Sequence, residues 1–156
     1  MTTELLRHTV ATLAYRAAKV LRGVPPGFTD VSAGSGTRTA GQILAHMGDL
    51  FDWALSLAGG QHVWRNAPVN DWDSDVSRFF AALERFDARL ASSEPLGASP
   101  EGLFQGPVAD ALTHVGQLAV LRRLAGAPVR AENYFKADIA AGRTSPDQAT
   151  PRVEFD

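Results

Sequence analysis

Four histidines and no cysteine set the terms for any chemistry this chain can perform. Without cysteine there are no disulfides, thiolate metal ligands, iron–sulfur clusters or protein-borne thiol nucleophiles, so thiol chemistry needs an external thiol. Of the histidines, His46 stands out, because it lies three residues after Ile43 and four before Leu50, at the edge of an apolar helical stripe. A polar ring turned inward must find a partner. Further along, Asp110, His114, Gln117 and Leu121 advance by four, three and four residues and form one line on a helix, flanked by Leu118, Leu124 and Ala125, while Arg122 and Arg123 project elsewhere. Asp110 and His114 are therefore expected to face the interior, where an uncompensated carboxylate is costly. His8 falls on the polar side of its helix and His62 in a glycine-bounded loop, so neither is a strong internal ligand candidate.

Residues i and i+4 sit about 6 Å apart along a helix, a spacing that suits two ligands of one ion. With His46 supplied by a neighbouring helix, two imidazoles and one carboxylate leave coordination positions open, a pattern compatible with catalytic zinc, nickel, iron(II) or manganese. Such a centre can lower the pKa of a bound water or thiol and polarise a carbonyl. Gln117, one turn below His114, can orient a ligand. The other reading of the same residues is a hydrogen-bonded pair of His46 with Asp110 or His114 in the core, with no ion. No catalytic base beyond the three is evident, so the catalytic residues stay unassigned. Gly34-Ser-Gly36-Thr37 is no phosphate loop, because it lacks the following lysine and the preceding strand.

The elements that must position these residues are helical. From Thr3 to Arg22, Leu5, Leu6, Val10, Leu13, Ala14, Ala17, Val20 and Leu21 share one side and Arg7, His8 and Lys19 the other, until Gly23, Pro25 and Pro26 stop the helix. Thr39 and Gln42 have the form of a capping box opening a second helix, with Ile43, Met47, Leu50, Phe51, Ala54 and Leu57 inward, Asp49, Asp52 and Ser56 opposite, and Gly59-Gly60 at its end. The loop that follows carries Trp64 and ends at Trp72. Asp73 or Ser74 can cap a third helix, with Val76, Phe79, Phe80, Leu83, Phe86 and Leu90 as its stripe and Arg78, Arg85 and Arg89 as its solvated face. Pro107 suits the first turn of a fourth helix that Gly126 and Pro128 close. No segment alternates at period two, so the expectation is an all-α, four-helix bundle, one domain over 1–156. Residues 127–156 form either a strap packed on the bundle or a loose tail, with a short helix around Asn133 to Ala140.

Bulk properties narrow the partners. Fifteen Lys and Arg against seventeen Asp and Glu give a net charge of -2, with neither a basic stripe nor a recognition motif, so nucleic acid and anionic membranes are not expected partners. The N-terminus lacks the basic start and apolar run of a secretory signal, and no later stretch reaches membrane-spanning length, so a cytoplasmic location is expected.

Ile43-Leu-Ala-His46-Met-Gly-Asp-Leu, together with Ala111-Leu-Thr-His114-Val-Gly-Gln117-Leu, resembles the DinB-like, or DinB/YfiT-like, superfamily. The resemblance covers the four helices. It implies a four-helix bundle of up-down-down-up topology, with metal held by one histidine of the second helix and two of the fourth. His46 and His114 match two of those positions, while the third, four residues before His114, is Asp110 here, still a competent ligand. The tail from Glu132-Asn-Tyr-Phe-Lys resembles the C-terminal strap of uncharacterised bacterial members. Characterised relatives include isomerases and transferases that use mycothiol or bacillithiol, which suits a chain lacking cysteine. The resulting expectation is a metal-dependent enzyme acting on a small molecule, with a divalent ion, zinc or nickel ahead of iron or manganese. A low-molecular-weight thiol is its expected cosubstrate and a homodimer its expected assembly. The alternative is a non-catalytic metal-binding or stress-related interaction protein.

Overall fold

A computed structural model describes residues 1–155, and among them the regular structure is all helical, with no strand. Helix α1 spans Thr3–Leu21, where Thr2 accepts from the Leu5 amide, and it stops at Gly23, whose φ of 61° leads into the prolines. Helix α2 spans Ala40–Ala58 and opens on the expected capping box, Thr39 accepting from the Gln42 amide while the Gln42 side chain accepts from the Thr39 amide. Helix α3 spans Trp72–Ala91 and is capped by Asp71, not by Asp73 or Ser74. The reason is local: Ser74 donates both its amide and its hydroxyl to the Asp71 carboxylate, and Trp72 is drawn into the first turn. Its indole packs edge-on against Phe28 and donates to the Leu21 carbonyl.

The fourth helical run starts at Pro100 instead of Pro107, because Ser99 accepts from the Gly102 amide and Pro100 takes the first turn. It consists of α4, Pro100–Leu103, then a π-helical turn, Phe104–Val108, then α5, Ala109–Leu124. Pro107 lies inside the π turn. A wider turn accommodates a proline that lacks an N–H and would crowd the carbonyl four residues back. The short tail helix is reduced to one 3-10 turn, Tyr134–Lys136.

The apolar stripes meet in one cluster, in which Phe51 packs against Phe79 and Phe86 with ring centroids 5.9 and 5.8 Å apart. A buried phenylalanine contributes on the order of 2 kcal/mol, so this trio anchors α2 on α3. Leu5 and Leu124 depart from expectation, being 52% and 62% exposed, since each sits just beyond the arc its helix buries. Lys19 and Asp49, assigned to wet faces, are buried.

Charge explains these differences. Arg78 donates to the Ala45 carbonyl, to Asp49 at 3.0 Å and to Asp52 at 3.1 Å, Arg85 donates to Asp52 and Arg89 to the Ala58 carbonyl. The arginines of α3 are thus a clasp on α2, not simply a solvated face. Gly48 makes room for it, because a Cβ there would lie 2.6 Å from the Arg78 guanidinium carbon. Arg122 is also buried, its guanidinium donating to the carbonyls of Val20, Arg22 and Gly23 at the C-terminal end of α1 and to that of Ala127 just past α5. Burial lowers its pKa from the usual arginine value. No helix among the described residues is long and apolar enough to cross a membrane.

Candidate metal centre

His46 enters from the second turn of α2, and Asp110 and His114 from the first two turns of α5, just after the π turn. Helical spacing puts the acid and the imidazole of α5 on one line, and the packing of α2 on α5 brings His46 to it. His46 Nε2 lies 3.4 Å from Asp110 Oδ2, and His114 Nε2 lies 3.4 Å from Asp110 Oδ1. One donor atom from each residue falls within 4.8 Å of the others, and the two imidazoles stand nearly perpendicular with centroids 4.9 Å apart. The sequence-derived trio is therefore assembled in space.

Gln117 completes the arrangement. His114 Nδ1 donates to Gln117 Oε1 at 2.7 Å, which leaves the lone pair of a neutral His114 on Nε2, facing the Asp110 carboxylate. Two acceptors then confront each other at 3.4 Å, longer than the ~2.7–2.9 Å of a charge-assisted hydrogen bond. A cation placed between the two groups would relieve that contact, and the three residues are placed where a metal ion could be held.

The donor set fits an ion. Two imidazoles and a carboxylate are a ligand set that zinc accepts, and each of the three residues offers a donor atom within 4.8 Å of the others. His46 is held below the usual histidine pKa, by burial first and then by the charges of Arg38 and His114, against the opposing pull of Asp110. A neutral imidazole is what a cation requires. His46, Asp110 and His114 thus form a group that could hold a divalent ion.

Access comes from two sides. A cavity of about 440 Å³ is lined by Thr37, Arg38, Ile43, His114, Gln117 and Val120, among others. A second, of about 430 Å³, is lined by Arg38, Gln42, Ala45, His46 and the loop at Asn66 to Val69. His114 and His46 are turned inward, with side chains 9% and 16% exposed, but Asp110 is not enclosed as its spacing suggested: its side chain is 45% exposed, because it lies near the start of α5.

Other candidates separate cleanly. His8 and His62 are exposed, and His62 stacks on Trp53 at 5.5 Å instead of joining the trio. Trp64 sits beside His46, ring centroids 5.5 Å apart, whereas Trp72 covers the end of α1. Arg38, Gly48 and Arg78 are the contributors that spacing alone did not single out. Arg38 directly precedes the capping threonine of α2, and that position was the available signal. Comparison of the chain with family models, with curated proteins and with solved structures gives no match.

Proposed function

We propose that the chain is a metal-dependent enzyme of the DinB/YfiT-like kind, in which His46, Asp110 and His114 hold a divalent ion, zinc or nickel, beside a small-molecule site. The observation that carries this reading is the meeting of three donor atoms from two helices within 4.8 Å. When bound, such an ion supplies Lewis acidity and lowers the pKa of an adjacent water or thiol, chemistry suited to transfer, isomerisation or hydrolysis with a low-molecular-weight thiol or water as cosubstrate. The chain's own residues prepare the place. Gln117 fixes the tautomer and ring plane of His114, burial and Arg38 keep His46 neutral, and the two cavities admit reactants on either side of α2.

Contacts along the helices support an up-down-down-up order. Arg78, Arg85 and Arg89 meet α2 at Ala45, Asp52 and Ala58, rising together, which is what parallel α2 and α3 would give. Arg7 with Asp87 and Trp72 with Leu21 pair opposite ends of α1 and α3, while Arg122 with Val20 pairs like ends of α5 and α1. The C-terminal segment reads as a strap on α1. Glu132 accepts from Tyr15 and Lys19, Lys19 also donates to Glu154, and Glu132 and Glu154 form an antiparallel bridge.

A non-catalytic metal-binding role is the second reading, and one observation favours it. The carboxylate lining the second cavity, Asp49, is already engaged by Arg78 and the Ala67 amide, which leaves no free general base there. Cobalt substitution separates the two. The enzyme reading expects visible absorption bands that shift when 2-mercaptoethanol or azide is added, because an exchangeable position remains. Bands unmoved by either additive would contradict it in favour of the second.

A further inference from the structure

The short loop before α2 turns at Gly34–Thr37, where both the amide and the hydroxyl of Thr37 donate to the Gly34 carbonyl, and Gly36 takes a φ of 79°. The turn delivers Arg38 to the mouth of the candidate centre. Arg38 is the one residue that lines both flanking cavities, the first with His114 and Gln117, the second with His46. Its guanidinium makes no hydrogen bond or ion pair among the described residues, whereas Arg7 and Arg78 are paired with carboxylates and Arg122 with carbonyls. The first cavity is also lined by four apolar residues, Ala33, Ile43, Val120 and Leu121. An unpaired planar cation in one cavity with apolar side chains and an imidazole of the candidate centre suits a ligand that is itself divided into an anionic end and an apolar body.

We propose that Arg38 binds the carboxylate of an apolar organic acid whose body lies against Ile43, Val120 and Leu121, with its reactive portion turned toward His114. The proposal rests on the reading of His46, Asp110 and His114 as a metal centre and names the substrate class of that site. A carboxylate is the fitting anion because a single guanidinium offers it a bidentate, coplanar pair of donors. No second lysine or arginine lines either cavity except Arg38, so a dianion would be left half compensated.

The test is calorimetric titration of the full chain with 3-phenylpropionate and its neutral analogue 3-phenylpropanamide, on metal-loaded protein and on protein stripped with chelator. The acid is expected to bind both forms, and the amide at least about tenfold more weakly. Arg38→Gln is expected to weaken the acid about tenfold or more and leave the amide unchanged. Val120→Asn, which makes the apolar lining polar without adding a charge beside Arg38, is expected to weaken both compounds. Absence of acid binding, equal affinity in Arg38→Gln, or binding confined to the metal-loaded form would overturn the proposal, the last because the carboxylate would then be a ligand of the ion. Failure of the metal reading looks different: the protein would take up no ion, yet Arg38-dependent binding would persist in the stripped form.

Discussion

Gln117 reaches back one turn along α5 to take the Nδ1 proton of His114, and so decides which nitrogen of that ring is free to bind. An outer partner of this kind typically raises metal affinity 10–100-fold. Gln117→Leu is therefore expected to weaken zinc binding by about that factor, with the helical content unchanged; chelator competition measures it, and an unaltered affinity would contradict the role given to Gln117. His46 carries its own consequence. Its pKa is depressed in the folded protein, so protonating it opposes folding, and its contribution to the stability of the metal-free form is present above the usual histidine value of about 6.5 and lost as pH falls through the depressed value. In an NMR titration of metal-free protein the His46 ring protons are expected to titrate below that of a free histidine, and to move upward in Arg38→Gln, where one of the depressing charges is gone. A midpoint at or above the free value would contradict this. At this scale much of the site was legible in the sequence, because i, i+4 spacing fixes the relation of Asp110 to His114 and the edge position of His46 fixes its direction. Arg38 was not, since a loop residue has no periodicity to betray where it points.

Helices α2 and α5 supply the three candidate ligands, and the rest of the chain holds those two helices in register. Their starts and stops obey local chemistry where a single cap dominates, as at Thr39 with Gln42, and escape it where two signals compete, as at Pro100 and Pro107. Two prolines seven positions apart each suit a first turn, and only the π turn lets both lie in one helical run. Buried charges were the least legible feature. Lys19 belongs to a polar face of α1 in isolation and becomes buried only because the C-terminal segment brings Glu132 and Glu154 onto it. Burial pulls the Lys19 pKa down, but the two carboxylates outweigh it and hold it above its usual value. Lys19→Met would leave the fully enclosed Glu132 carboxylate with Tyr15 as its remaining partner. A loss of roughly 3–5 kcal/mol in denaturant unfolding is expected, largely recovered in the double variant with Glu132→Gln, which removes the stranded charge. A loss under about 1 kcal/mol in the single variant would show that the network does not fasten the segment.

The whole molecule is a helical bundle whose phenylalanine core sets α2 against α3 and whose polar contacts set α2 against α5. Bundle cores are well suited to such centres, since facing helices project side chains into a common space and the surrounding packing limits their motion. The central claim is that this convergence binds an ion. Elemental analysis of the purified chain beside His46→Ala tests it most directly. The expected result is close to one equivalent of a divalent metal per wild-type chain and a large loss in His46→Ala, with both proteins equally helical by circular dichroism. Equal metal content in the two, or none in the wild type after exposure to zinc and nickel, would contradict the claim.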